Sequence, residues 1–72
     1  MNNIAQARSK LKLTQQELAE KVGCSAAHVS YLESGTKTAS PALAKKIAEF
    51  FEIPPSAVIY PNQPFIEQVF SP

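Results

Sequence analysis

From Thr14 to Ser34 the chain reads TQQELAEKVGCSAAHVSYLES, two helix-forming runs joined at a glycine. Thr14 and Glu17 have the T-x-x-E spacing of a capping box, in which each side chain takes up a backbone N–H at the start of a helix. Leu13 before the cap and Leu18 after it are spaced for a hydrophobic staple. Leu18, Ala19 and Val22 form the apolar stripe of that helix. Gly23 stops it where a left-handed residue costs least. Ser25 then caps a second helix, with Val29 and Leu32 inward, and Gly35 ends it. The spacing is that of two helices meeting steeply across a short turn. Ala19 has to be small because the second helix crosses there.

Working outward, helix signals dominate. Asn2 or Asn3 can cap a first helix that places Ile4, Ala7 and Leu11 on one side and ends near Lys12. Thr36–Ala39 reads as a polar loop. Ser40-Pro41 restarts a helix, with serine as cap and proline at the first position. In it Leu43, Ile47 and one or both of Phe50 and Phe51 face the core, and Pro54 ends it. Pro55–Tyr60 forms one further short turn, with Val58 and Ile59 packing back. The expected fold is all-α, a compact five-helix bundle over residues 1–60. The remaining residues, 61–72, form a tail whose Phe65, Ile66, Val69 and Phe70 suit either one helical face or an extended strand.

Bulk properties narrow the function. A chain of 72 residues is one small domain, close to the lower limit for a self-sufficient core. Its 44% hydrophobic content excludes wholesale disorder. The net charge of +1 does not announce a polyanion partner, but the balance is uneven. The residues up to Thr38 carry +2 and the rest −1, so an anion-binding surface belongs to the first half. The lone Cys24 cannot build an intramolecular disulfide framework and fits a reducing cytosol. No apolar run approaches the ~20 residues of a membrane span, and MNNIAQARSK lacks the apolar core of a signal peptide. The expected location is cytoplasmic. There is no phosphate-binding glycine loop, no Ser/His/Asp set and no evident carboxylate pair, so catalysis is not expected. His28 has no second ligand at metal spacing, and neither metal nor cofactor is expected. Cys24 reads as a small filler in the turn.

The order Arg8, Leu13-Thr14-Gln15, Leu18-Ala19, Gly23, Ser30, Leu32-Glu33, Gly35 and Ser40-Pro41 resembles the Cro/cI-type (Xre-like) helix-turn-helix domain of phage repressors and small bacterial regulators. The resemblance covers about Ile4 to Ile59. It implies a lambda-repressor-like DNA-binding domain that acts as a homodimer on a pseudo-palindromic operator. It also implies roles for individual residues. Arg8 and Glu33 match a structural salt bridge. Gln15, Ser34 and Lys37 match contacts to DNA phosphates. Ser25, Ala26, Ala27, His28, Ser30 and Tyr31 fall on the base-reading face.

That face departs from the pattern. Hydrogen-bonded reading favours Arg for guanine and Gln or Asn for adenine, whereas Ala26 and Ala27 offer only contact with a thymine methyl. The expectation is modest direct readout, helped by His28, Tyr31 and DNA shape. His28 equally reads as a plain exposed residue and Tyr31 as a packing residue. Lys10 and Lys12 lie near the first helix junction, where phosphate is within reach, while Lys45 and Lys46 read as a solvated face. The function expected is a sequence-specific, double-stranded-DNA-binding transcriptional repressor. Two rivals stand beside it: an antitoxin- or controller-type module with a protein partner, and the DNA-binding fragment of a longer phage-type repressor. The apolar tail suits a homodimer seam, a partner surface or the start of a linker.

Overall fold

A computed structural model describes residues 2–64 and shows, among them, five helices and no strand: α1 (Asn3–Lys10), α2 (Gln15–Val22), α3 (Ala26–Ser34), α4 (Pro41–Phe51) and α5 (Pro55–Ile59). The expected all-α architecture is therefore the observed one. No helix among these residues is long and apolar enough to cross a membrane. The readings made for Phe65, Ile66, Val69 and Phe70 lie outside the described residues.

The caps read from the sequence are in place. Thr14 Oγ1 accepts from the Glu17 N–H at 3.0 Å while Glu17 Oε1 accepts from the Thr14 N–H at 2.8 Å. Ser25 and Ser40 each accept from the N–H three residues on, at 3.1 and 3.3 Å. Gly23 and Gly35 close α2 and α3 at φ +81° and +82°, a conformation in which a Cβ would crowd the following carbonyl. α2 and α3 pack on each other, and α4 and α5 close the other side.

Ile4, Leu18, Val29, Leu32, Ile47 and Val58 are the large, fully buried side chains. Between them lie small ones. Ala19 is fully buried, as the crossing of α2 and α3 requires, and Ala5, Ala39, Ala44, Ala48 and Ala57 are buried as well. Hydrophobic period did not single these five out, because methyl groups contribute little to an apolar stripe; the close approach of helices buries them. Leu43 and Ile59 pack half-buried against the core. Phe50 and Phe51 do the same and meet each other edge to face, with ring centroids 5.2 Å apart.

Three local expectations need correction. Leu11 does not share the core with Ile4; it is 52% exposed. α1 stops at Lys10, and Leu11 caps it at the edge of the bundle before Lys12 reverses the chain at φ +57°. α4 ends at Phe51 rather than at Pro54, because Glu52 takes a left-handed conformation (φ +58°) and its N–H returns to Ala48 and Glu49 carbonyls. Ala39 belongs to the core rather than to a polar loop.

Both N-terminal asparagines are buried, and each does more than cap. Asn2 Oδ1 accepts from the Ala5 N–H at 2.9 Å while its Nδ2 donates to the Leu32 carbonyl at 2.8 Å. The start of α1 is thereby tied to the end of α3. Asn3 Nδ2 donates to the carbonyls of Ala57 (3.1 Å) and Gln63 (2.7 Å), and its N–H donates to the Pro61 carbonyl at 2.7 Å. Asn2→Ala removes a helix cap and the shorter of two hydrogen bonds to the Leu32 carbonyl, which keeps the Gly35 N–H at 3.3 Å. The expected loss is about 2 kcal/mol, read as a lower urea midpoint with unchanged m-value. A loss within 0.5 kcal/mol, roughly the scale of a surface substitution, would contradict the clamp.

Candidate nucleic-acid interface

The helix-turn-helix unit is α2, the Gly23–Ser25 turn and α3. Both Gly23 and Cys24 donate their N–H to the Ala19 carbonyl, at 2.8 and 3.0 Å. These two bonds fix the angle at which the chain leaves α2. Cys24 is half-buried against the core, and burial pushes its thiol pKa up. That keeps it protonated and poorly nucleophilic, in keeping with a filler of the turn.

α3 is held by an ion pair at its far end. Arg8 grips Glu33 with two nitrogens: Nε donates to Oε2 at 2.6 Å and Nη2 to Oε1 at 3.0 Å. Arg8 Nη1 also donates to the Leu13 carbonyl at 2.7 Å. The hydrogen bond to Glu33 raises the Arg8 pKa, with a smaller opposing effect of burial. Gln15 Nε2 donates to the same Glu33 Oε1 at 3.0 Å. The Arg8–Glu33 pair therefore gathers α1, the α1–α2 loop, the first residue of α2 and the last turn of α3. A fork-shaped guanidinium on a carboxylate fixes orientation as well as distance, so the direction of α3 is set before any ligand arrives.

The outward stripe of α3 follows from its period. Ala27, Ser30, Tyr31 and Ser34 stand at i, i+3, i+4 and i+7 and are all exposed. Ala26 and His28 are half-buried on the flanks of this stripe, and Ser25 is exposed at the cap. The six residues expected on one reading face are thus graded across it. Tyr31 is its largest exposed group, at 43%.

Beyond Tyr31 the stripe runs into a polar corner. Lys37 Nζ lies 4.9 Å from the centre of the Tyr31 ring, a cation–π distance. Ser34 Oγ donates to the Tyr31 carbonyl at 3.1 Å and pairs with Thr36 Oγ1 at 2.8 Å. The Thr36 and Lys37 N–H groups return to that same Tyr31 carbonyl at 2.9 and 3.3 Å. Ser34 and Lys37 are thus brought together, with Tyr31 between them, whereas Gln15 is held against Glu33. Thr36 is the neighbour that the sequence reading passed over. Its one signal was a hydroxyl directly after the helix-ending Gly35.

A helix-turn-helix family model matches residues 4–58. Neither a curated protein nor a solved structure gives a significant match. The matched span holds α1 but for its first residue, α2 to α4 and most of α5, including the Arg8–Glu33 clamp and the whole exposed stripe of α3. The chain belongs to the Cro/cI-type (Xre-like) helix-turn-helix family of DNA-binding regulators.

Proposed function

We propose that the protein is a sequence-specific transcriptional repressor that acts in the cytoplasm as a homodimer on a pseudo-palindromic operator. One observation carries this reading: the exposed stripe Ala27–Ser30–Tyr31–Ser34 lies on a helix locked by Arg8 and Glu33 and ends beside Lys37. In the proposed complex α3 enters the major groove, and two copies related by a two-fold axis meet half-sites about 34 Å apart. Repression is steric, by occupation of a promoter that RNA polymerase would otherwise bind.

The side chains define what can be read. Ala26 and Ala27 meet thymine methyls and let α3 approach closely. Ser25, Ser30 and His28 reach base edges, and Tyr31 supplies the one broad surface. Lys37, Ser34 and Gln15 hold phosphates. Gln15 spends one amide N–H on Glu33 and keeps a second for the DNA. The Ser34 hydrogen turns from the Tyr31 carbonyl to the phosphate, an inexpensive exchange on an exposed hydroxyl. With no Arg, Gln or Asn on the stripe, phosphate contacts outnumber base contacts and DNA shape carries part of the specificity.

The test is fluorescence anisotropy with the protein's own upstream DNA, at two salt concentrations, against random-sequence duplex. Tight, competitor-resistant binding is the expected result. Affinity equal to that for random DNA would sink the repressor and favour a protein-interaction module. Lys37→Ala should weaken binding to operator and random DNA alike and lower the salt slope by about 1. An unchanged slope would remove Lys37 from the phosphate contacts.

A further inference from the structure

The family match ends at Val58, yet the chain beyond it returns to the end of α3. Residues 60–63 form a turn, closed by the Gln63 N–H on the Tyr60 carbonyl at 3.1 Å. The turn is fixed from behind. Buried Asn3 donates its N–H to the Pro61 carbonyl and its side-chain amide to the Gln63 carbonyl, each at 2.7 Å. Between this turn and the loop after α3 lies an open crevice, with Gly35, Lys37 and Thr38 on one side and Tyr60, Asn62 and Gln63 on the other. A Cβ on Gly35 would stand 3.8 Å from Asn62 Nδ2. The Asn62 amide therefore lies directly beside the residue that ends α3.

We infer that Asn62 donates a hydrogen bond to a DNA phosphate at this crevice, so that the DNA-binding surface extends past the helix-turn-helix unit. The inference rests on the DNA-binding reading proposed above and adds a contact to it. Asn62 is exposed, and among the described residues its side chain has no hydrogen-bond partner. Its amide can therefore take up a ligand without breaking a bond. The turn does not itself call for asparagine. The described non-glycine residues with positive φ are Lys12 and Glu52, so Asn62 is not there for a left-handed backbone. Because Asn3 already holds the turn, little freedom is lost when a ligand arrives. The charges suit an anion. Lys37 borders both the crevice and the Tyr31 ring, and among the described residues no Asp or Glu lines the crevice. Lysine and asparagine side chains both serve as phosphate contacts. A duplex that lays its base edges on Tyr31 brings its backbone past Lys37 to Asn62.

Anisotropy titrations of the 72-residue protein test this, with its own upstream DNA and with random-sequence duplex over a range of salt. Asn62→Ala is expected to weaken binding to both duplexes alike, by about 10-fold. The salt slope should stay that of the parent, because a neutral amide displaces no counterion; Lys37→Ala, by contrast, lowers it. Asn62→Asp keeps the shape and turns a negative charge toward the phosphate. It should bind more weakly still, with a gap to Asn62→Ala that narrows as salt rises. Both variants should melt with the parent, since the side chain is exposed. Unchanged affinity in Asn62→Ala, with Lys37→Ala weakened, would overturn this contact alone. A parent that binds neither duplex would remove the DNA-binding reading and this contact with it. A loss confined to the upstream DNA would make Asn62 a reader of bases, and a Tm lower by about 5 °C would make it a structural residue. Either result overturns the inference. So would sedimentation showing that Asn62→Ala dissociates a dimer formed by the parent, since the crevice would then receive a second copy.

Discussion

Arg8→Ala should lower the stability of the domain by about 3 kcal/mol, the scale for breaking a largely buried ion pair from one side. The Glu33 side chain is only 9% exposed and that of Arg8 20%, so neither partner can recover its full hydration. Without Arg8, the Glu33 carboxylate keeps only the Gln15 amide, and the Leu13 carbonyl loses its donor. In a domain of this size the change corresponds to a Tm drop of roughly 15 °C. Denaturation followed by circular dichroism checks it, and a loss below about 1 kcal/mol would mean that the pair does not organise the fold. Arg8→Met combined with Glu33→Met should recover most of the loss, since a well-packed apolar pair can replace a buried ionic one. The double variant should still bind DNA less well than the parent. The fork on Glu33, which sets the direction of α3, is absent from it.

Tyr31→Ala should reduce operator affinity about 10- to 100-fold, the 1–3 kcal/mol typical of one good base contact, while leaving stability within about 0.5 kcal/mol. The separation of the two effects follows from the structure. Tyr31 is 43% exposed and lies outside the buried core, so the fold loses little. The reading surface loses its largest group, and Lys37 loses the ring that holds its ammonium in place. Two consequences distinguish this from a phosphate contact. Affinity for random DNA should change much less than affinity for the operator, and the salt slope should stay close to that of the parent. Tyr31→Ala and Lys37→Ala should also be non-additive, because the two side chains touch. A Tyr31→Ala protein that binds its operator as tightly as the parent would place the specificity elsewhere on α3.

The elements that the amino-acid sequence determined by itself are those built from neighbours. Thr14 with Glu17, Ser25 with the His28 N–H and Ser40 with the Leu43 N–H each act over three residues, so spacing alone reveals them. Gly23 and Gly35 are legible because their backbone conformation is costly for any residue with a Cβ. Leu18, Val22, Val29, Leu32 and Ile47 repeat at the helical period. The Arg8–Glu33 pair came from family resemblance, not from spacing, and the structure shows it formed.

Tertiary structure alone decided the rest. Asn2 reaches Leu32 and Asn3 reaches Ala57 and Gln63, partners 30 to 60 residues away that no local pattern announces. Leu11 had the period of a core residue, yet it sits where α1 runs out at the edge of the bundle. Ala5, Ala44, Ala48 and Ala57 are buried by the closeness of neighbouring helices, a property of pairs of elements and not of any one. Gln15 could be placed at the start of α2 by its position, but the turn of its amide toward Glu33 depends on where α3 lies. The stacking of Lys37 on Tyr31 likewise exists only once Gly35 has folded the loop back over α3. Contacts within one helical turn are fixed by backbone geometry that every helix shares. Contacts across the core depend on how five helices fill one volume, and that packing is set by all of them together.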